Sequence, residues 1–426
     1  MSEKAKDIRR VVAIVAALML LGVCVMLYGE WRGTFADTLV VCAPTFWTIP
    51  VFAILIGMAH YSAGRGMGTK EYVRSMFCGK SITGERKVYL DYARILAAVM
   101  VILTHACSMQ AGEDAAPWRI SLLLTCEGIG LLSNPLYVMI SGALLLASDK
   151  EEKYGTFYFR RFVKVAIPML VYYIIFMTMS GQISLIPPKN LGEGLLQLLA
   201  GASGIVPHYW LIYTLLSLYL VAPFVKVMVK NLDDKGINIL FFMILVEEIL
   251  VTYLPLAGVQ VGFIMNLASW EGVFIMGYIL TERRTKWMER LVLIGGAVCA
   301  VIIPITLIQA YYLKNYVCNT APTMVLLAGA VLVGLSKLEP VLKNKFTFAV
   351  TTLSKYSYSI ILVHWYGLFV VTWGKIGVQP LRFGCVGGIV LTVLTAVIVC
   401  FIMGFLAENT IIMAVQYLFT IRRKRK

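Results

Sequence analysis

The chain has 426 residues, of which 59% are hydrophobic and only 14% charged, and it carries a formal net charge of +15. Soluble domains hold about 25% charged residues and few long apolar runs, so a soluble globular fold is excluded. A basic balance of this size can point to nucleic acid, but its distribution along the chain excludes that partner and reports membrane topology instead.

Segments apolar and long enough to cross a bilayer, which takes about 20 residues each, are expected at 11–28, 39–59, 88–109, 121–147, 165–181, 208–228, 238–256, 261–281, 291–313, 320–336, 351–373 and 384–418. The expected fold is all-α, a polytopic integral membrane protein of about 12 transmembrane helices. With the N-terminus cytoplasmic, 31 of the 38 Lys and Arg fall on the cytoplasmic side, which is the positive-inside pattern for a chain with both termini inside. Arg32, Arg119, Lys189, Lys314, Lys375 and Arg382 fall outside, and Arg94 falls within the membrane. The lipid bilayer is the first partner.

In chain order, Val11–Tyr28 follows Lys4, Lys6, Arg9 and Arg10 in the manner of a signal peptide, but ends without a small-x-small cleavage pattern and is expected to stay as a helix. Residues 1–87 thus form an N-terminal transmembrane hairpin with a basic cytoplasmic loop, in which His60 reads as a loop residue at the membrane edge. Residues 88–426 form the main ten-helix membrane domain with a basic tail.

That domain opens on VYLDYARILAAVMVILTHACSM, with Asp91 and Arg94 near one end and His105 near the other. Eleven residues separate Arg94 from His105, about 16 Å of helical rise, and both side chains fall within roughly 20° of one face. Lipid does not solvate such a pair, so the face is expected to look into protein or a wet cavity. The bland alternative has Arg94 snorkelling to headgroups and His105 bonding a neighbouring backbone.

The next span carries Asn134-Pro135, where the missing backbone donor should kink the helix, and Ser141-Gly142, where a second backbone can come close. A loop at 149–164 follows, with Arg160, Arg161 and Lys164 among aromatic residues, suited to lipid headgroups or to a phosphorylated cofactor. A long Gly- and Pro-rich outer loop, 181–207, leads into Pro207-His208-Tyr209-Trp210, with His208 at about the depth of His105. Glu247, Glu248 and Glu271 fall mid-span, where carboxylates are costly and are functional candidates by default. His364 completes a set of three membrane histidines biased to the outer half. The nine cysteines show no metal-ligand spacing and no disulfide framework, so neither a metal nor a bridge is expected.

The order of these features resembles the acyltransferase-3 family of integral membrane acyltransferases. The resemblance covers roughly 88–417 and is carried by Arg94-x10-His105, Ser141-Gly142, the basic cluster Arg160, Arg161 and Lys164, His208-x-Trp210, Gly277-Tyr278 and Tyr356-Ser357-x-x-Ile360-x-x-x-His364. Ala143 stands where the family often has an aromatic residue, and Lys164 where its basic motif usually ends in Arg. No SGNH-type hydrolase domain is fused at the C-terminus, so the resemblance is to the stand-alone form.

The resemblance implies transfer of an acyl group, acetyl by default, from cytoplasmic acetyl-CoA or another acyl-CoA to a hydroxyl of a carbohydrate or cell-envelope polymer, in a bacterial cytoplasmic membrane. Arg160, Arg161 and Lys164 would hold the acyl-CoA phosphates, with Ser141 and Gly142 in the same donor-binding set and Arg94 deeper in the channel. His105 would act as general base or as acyl carrier. His208 or His364 would orient the acceptor or polarise the carbonyl. A transporter or lipid-handling protein would line its path with similar polar residues, but the missing internal repeat counts against it. A third reading is a membrane module that binds without turnover.

Overall fold

The structure, a computed structural model, describes residues 7–8, 11–20, 39–77, 86–110, 116–149, 152–185, 188–201, 204, 206–259 and 269–424. Among these the chain is helical apart from a minimal antiparallel pair, Ser184–Leu185 with Pro188–Lys189. Among the described residues, eight helices are long and apolar enough to cross a membrane, and a ninth if the bent pair Tyr311–Val317 and Pro322–Lys337 is one span. The other expected spans are shorter here or fall partly outside the described residues. Of the expected spans at 11–28 and 261–281, the described residues 11–20 are helical and Trp270–Glu282 forms a helix, and the remainders at 21–28 and 261–268 lie outside the described residues.

The chain clusters into two units. One gathers residues 1–82, 159–207 and 404–426, and the other residues 83–158 and 208–403. In the first unit, His60 is no loop residue. It is buried in the helix Leu39–Gly64, takes part in a 2.5 Å hydrogen bond with the Tyr72 hydroxyl, and donates from Nε2 to the Asn409 carbonyl at 2.8 Å. One imidazole thereby ties its own helix to Tyr72 nearby and to Asn409, 349 residues on, which satisfies polar groups that lipid would leave unpaired.

The second unit is built from α1 (Val88–Ser108), α2 (Pro117–Gly130), α3 (Ser133–Leu145), α4 (Trp210–Asn231), α5 (Asp234–Tyr253), α6 (Trp270–Glu282), α7 (Lys286–Gln309), α8 (Pro322–Lys337) and α9 (Thr347–Tyr366). Free of Pro and Gly, α1 packs against α2, α3, α8 and α9. Its first backbone N–H donates to the Glu339 carboxylate at 2.9 Å, which places an anion at the positive helix end. Of the most apolar stretch of Pro117–Leu145, 72% is buried inside the protein, against 28% for Lys286–Gln309. The former is an inner span and the latter has most of its surface left for lipid.

The kink expected at Pro135 appears just ahead of it. Helix α2 ends at Gly130 and α3 begins at Ser133, because Pro135 has no N–H to offer the Leu131 carbonyl. The close approach expected at Gly142 is present and reciprocal. A Cβ there would lie 1.8 Å from the Phe274 carbonyl oxygen, and a Cβ at Gly277 would lie 2.0 Å from the Met139 carbonyl oxygen. Only glycine permits α3 and α6 to cross at this distance.

Two expectations need correction. The stretch 149–164 is not a loop throughout, since a continuous 26-residue span runs from Tyr154 to Met179. The Arg160–Lys164 cluster lies within it, where α-helical Tyr154–Arg161 widens into the π-helical turn Phe162–Ala166. Aromatic and arginine side chains sustain a helix as readily as a headgroup-bound loop. Glu271 is not mid-span either. It sits exposed in the first turn of α6, where Ser269 caps the helix and pairs with its carboxylate. Glu248 is buried in α5 as expected, and its Oε1 has no protein partner.

Candidate active site

Three helix ends meet in the second unit. His105 lies in the last turn of α1, His208 in the short 3-10 turn Pro207–Tyr209 that opens α4, and His364 in the last turn of α9. Their rings converge. The His105 and His364 centroids are 5.1 Å apart and stacked, and those of His208 and His364 are 4.7 Å apart and edge-on. Trp365, next along α9, contacts both outer members, at 5.2 Å from His105 and 5.9 Å from His208. Beyond it the helix widens into the π-helical stretch Gly367–Ile376, along which Trp365, Phe369 and Trp373 form an edge-to-face ladder.

Hydrogen bonding fixes two of the three tautomers. His208 Nε2 lies 3.1 Å from the Leu362 carbonyl and His364 Nδ1 lies 2.6 Å from the Ile361 carbonyl, so each of these nitrogens carries a proton to donate. In the neutral rings, His208 Nδ1 and His364 Nε2 are then lone-pair acceptors, and both are buried without a protein partner. His105 is half-buried, and among the described residues its ring makes contacts with His364 and Trp365 but no hydrogen bond. Each ring therefore presents an uncommitted nitrogen.

The histidines line a cavity of about 290 Å³ together with Thr104, Ser133, Asn134, Trp210, Lys314, Asn315 and Asn319. The Asn134 amide donates to Asn319 Oδ1 at 3.3 Å, and Asn319 holds a left-handed backbone at φ 58°, a conformation Asn tolerates better than most residues. Lys314 is ion-paired with the buried carboxylate of Glu127, whose other oxygen accepts from the Tyr311 hydroxyl at 2.7 Å. Lys314, Glu127, Asn319 and Trp365 are absent from the set of site residues read from sequence. Lys314 and Asn319 fall in an expected outer loop, where a polar residue carries no signal of its own, whereas Glu127 falls inside the expected span at 121–147 and bore the same signal as Glu247 and Glu248; Asn134 and Trp210 lie inside the motifs quoted above.

At the opposite end of α1, Arg94 lines a second cavity, of about 850 Å³, with Arg86, Lys87, Asp91, Asp149 and Glu282. Here the charges are largely spent on one another. Arg86 clasps Asp91 with bonds of 2.7 and 2.9 Å, and Asp91 also accepts from Ser354 at 2.6 Å. Lys87 pairs with Glu282, and Lys230 with Asp149 at 2.6 Å. The Asp149 carboxyl is exposed, and the hydrogen bond from Lys230 holds it below the usual carboxylate range. Arg94 makes only a 3.7 Å approach to Asp91 through its guanidinium, which leaves most of its five donors uncommitted.

Arg94 and His105 thus both face protein interior, as their spacing along α1 requires, but in different cavities that share no lining residue. Ser141 and Gly142 line neither. Ser141 lies 3.5 Å from the Tyr219 hydroxyl, and Gly142 serves the α3–α6 crossing. Arg160, Arg161 and Lys164 belong to the other unit, where Arg160 and Lys164 are exposed and Arg161 is half-buried. Among the described residues, no group of three or more His, Cys, Asp or Glu is arranged to hold a metal.

No curated protein and no solved structure matches the chain. A family model does: residues 87–406 match that of the acyltransferase-3 group, described as an acyltransferase domain. With three-quarters of its length inside that match and its helices apolar enough to span a bilayer repeatedly, the chain belongs to the acyltransferase-3 family of multi-pass membrane proteins.

Proposed function

We propose that this protein is a membrane O-acyltransferase that takes an acyl group, acetyl by default, from acyl-CoA on the cytoplasmic side and passes it to a hydroxyl of a cell-envelope carbohydrate. The observation that carries the reading is the meeting of three imidazoles on one cavity, each with a nitrogen that the protein leaves uncommitted. A hydroxyl attacking a thioester must lose its proton as it bonds, and an imidazole nitrogen is the side-chain group best suited to receive it. His105 is the least constrained of the three and takes the role of general base, or of acyl carrier. His208 and His364, pinned by backbone carbonyls, orient the acceptor.

Arg160, Arg161 and Lys164 hold the donor's phosphates in this proposal, with Arg94 as the deeper cation, because guanidinium presents paired donors to phosphate oxygens. The topology proposed is that of twelve spans with both termini cytoplasmic, in the cytoplasmic membrane of a bacterium. What supports acyl transfer over a permeation path is the match of residues 87–406 to an acyltransferase domain.

The test is transfer by the purified protein from acetyl-CoA to a carbohydrate acceptor, read by mass spectrometry. His105→Ala is expected to insert and fold while losing the product. Undiminished product from that variant removes the mechanism. Replacing Arg160 and Arg161 together is expected to weaken acyl-CoA binding and leave acceptor binding unchanged, and equal losses for both ligands count against the assigned donor site.

A further inference from the structure

We propose that Lys314 is a catalytic residue of this site, the cation that stabilises the negative charge developing on the acyl carbonyl oxygen during transfer. The inference rests on the acyl-transfer reading above and adds a group that the histidines cannot supply. General-base chemistry removes a proton from the acceptor but leaves the carbonyl oxygen to carry charge, and a site that excludes water must meet that charge with a fixed donor.

Among the described residues that line the histidine cavity, Lys314 is the one cation. Its ammonium has three N–H donors. One goes to Glu127 and one to the Tyr311 hydroxyl at 3.0 Å, and the third has no partner among the described residues. Glu127 and Tyr311 are themselves joined at 2.7 Å, so the ammonium is held from two sides by partners that fix each other. The Thr104 hydroxyl donates to the Glu127 backbone carbonyl at 3.3 Å, which ties this anchor to α1 one residue before His105.

The backbone that carries Lys314 is itself unusual. The helical pieces Tyr311–Val317 and Pro322–Lys337 meet at a bend of 59°, and between them Asn319 adopts its left-handed conformation. Irregular backbone at such a place in a membrane protein is tolerated where it lines a cavity or is buried in protein. This break turns Lys314, Asn315 and Asn319 towards the same cavity as the histidines. A bare structural ion pair would need neither the break nor a donor left over.

The step balances as follows. The acceptor oxygen bonds to the carbonyl carbon while its proton passes to His105, and the carbonyl electron pair moves onto oxygen, which faces the third N–H of Lys314. Collapse of that oxyanion re-forms C=O and breaks the C–S bond. The departing thiolate takes the proton from the imidazolium, leaving ester and free thiol. Glu127 acts as a positioning residue, since it touches the ammonium and not the reacting atoms.

The experiment is steady-state thiol release from acetyl-CoA, with a carbohydrate acceptor present, by wild type, Lys314→Gln, Lys314→Ala, Lys314→Arg and His105→Ala. Loss of one oxyanion donor lowers kcat by about 10²-fold. Lys314→Gln is expected to show this loss with KM for acetyl-CoA within about threefold of wild type, with Lys314→Arg retaining a larger share of kcat. Methylamine is expected to restore part of the rate of Lys314→Ala in proportion to its concentration, which a purely structural lysine would not allow. A wild-type kcat in Lys314→Gln, while His105→Ala is inactive, overturns this inference and leaves the acyl-transfer reading standing. A poorly folded Lys314→Gln shifts the decision to methylamine and Lys314→Ala, where no rescue overturns it. No thiol release by wild type removes both.

Discussion

The two cavities at the ends of α1 use their polar groups in opposite ways. Around Arg94, the carboxylates Asp91, Asp149 and Glu282 are each answered by Arg86, Lys230 or Lys87, and the pairs close on themselves. Around His105, among the described residues, the inward nitrogens of His208 and His364 are left unanswered, while the one ion pair is anchored on Glu127 and presents its cation to the cavity. Pairs that close on each other hold helix ends together and lend little to chemistry, whereas the Lys314–Glu127 pair holds its cation at a cavity. Unpaired acceptors beside a fixed cation cost stability and are kept where a reaction needs them.

The contrast can be broken experimentally. The largest effect is expected at the histidine end, where His105→Ala should lower the transfer rate by about 10³-fold, within the range for loss of a general base, with thermal unfolding of the purified protein close to wild type. At the other end the order reverses. Asp91→Ala, which strips partly exposed Arg86 and buried Ser354 of a hydrogen-bonding partner, should cost about 2 kcal/mol of stability, measured as a lowered unfolding midpoint, and change turnover less than His105→Ala does.

A smaller effect is expected from Arg94→Gln. Removing its uncommitted donors should raise KM for acetyl-CoA about tenfold, equivalent to about 1.4 kcal/mol, with kcat nearly unchanged. The smallest belongs to Asp149. Its folded-state pKa lies below the unfolded value, so its pairing with Lys230 stabilises the protein above the unfolded value and is lost as pH falls through the folded one. The pair is solvent-screened, and Asp149→Asn should leave the unfolding midpoint at neutral pH unchanged.

Much of this was legible in the sequence because bilayer physics is strict. Apolar length gave the helical class, and the eleven-residue spacing of Arg94 and His105 put both into protein interior. Three histidines on separate spans were expected in the outer half of the membrane, and the structure brings their rings onto one cavity. The misses have physical reasons. Glu271 looked mid-span because hydropathy cannot see the Ser269 cap that begins α6 at Trp270. The basic stretch at 149–164 looked like a loop because charge masks helical continuity from Tyr154 onward. Lys314 looked like an ordinary outer-loop charge because its partner, Glu127, lies 187 residues away in sequence. Long-range pairing of that kind leaves no periodic trace.

The most direct measurement is kcat and KM for thiol release from acetyl-CoA in His105→Ala and Arg94→Gln side by side. The account predicts a collapse of kcat in the first and a rise in KM alone in the second. A His105→Ala enzyme that keeps its kcat would contradict it.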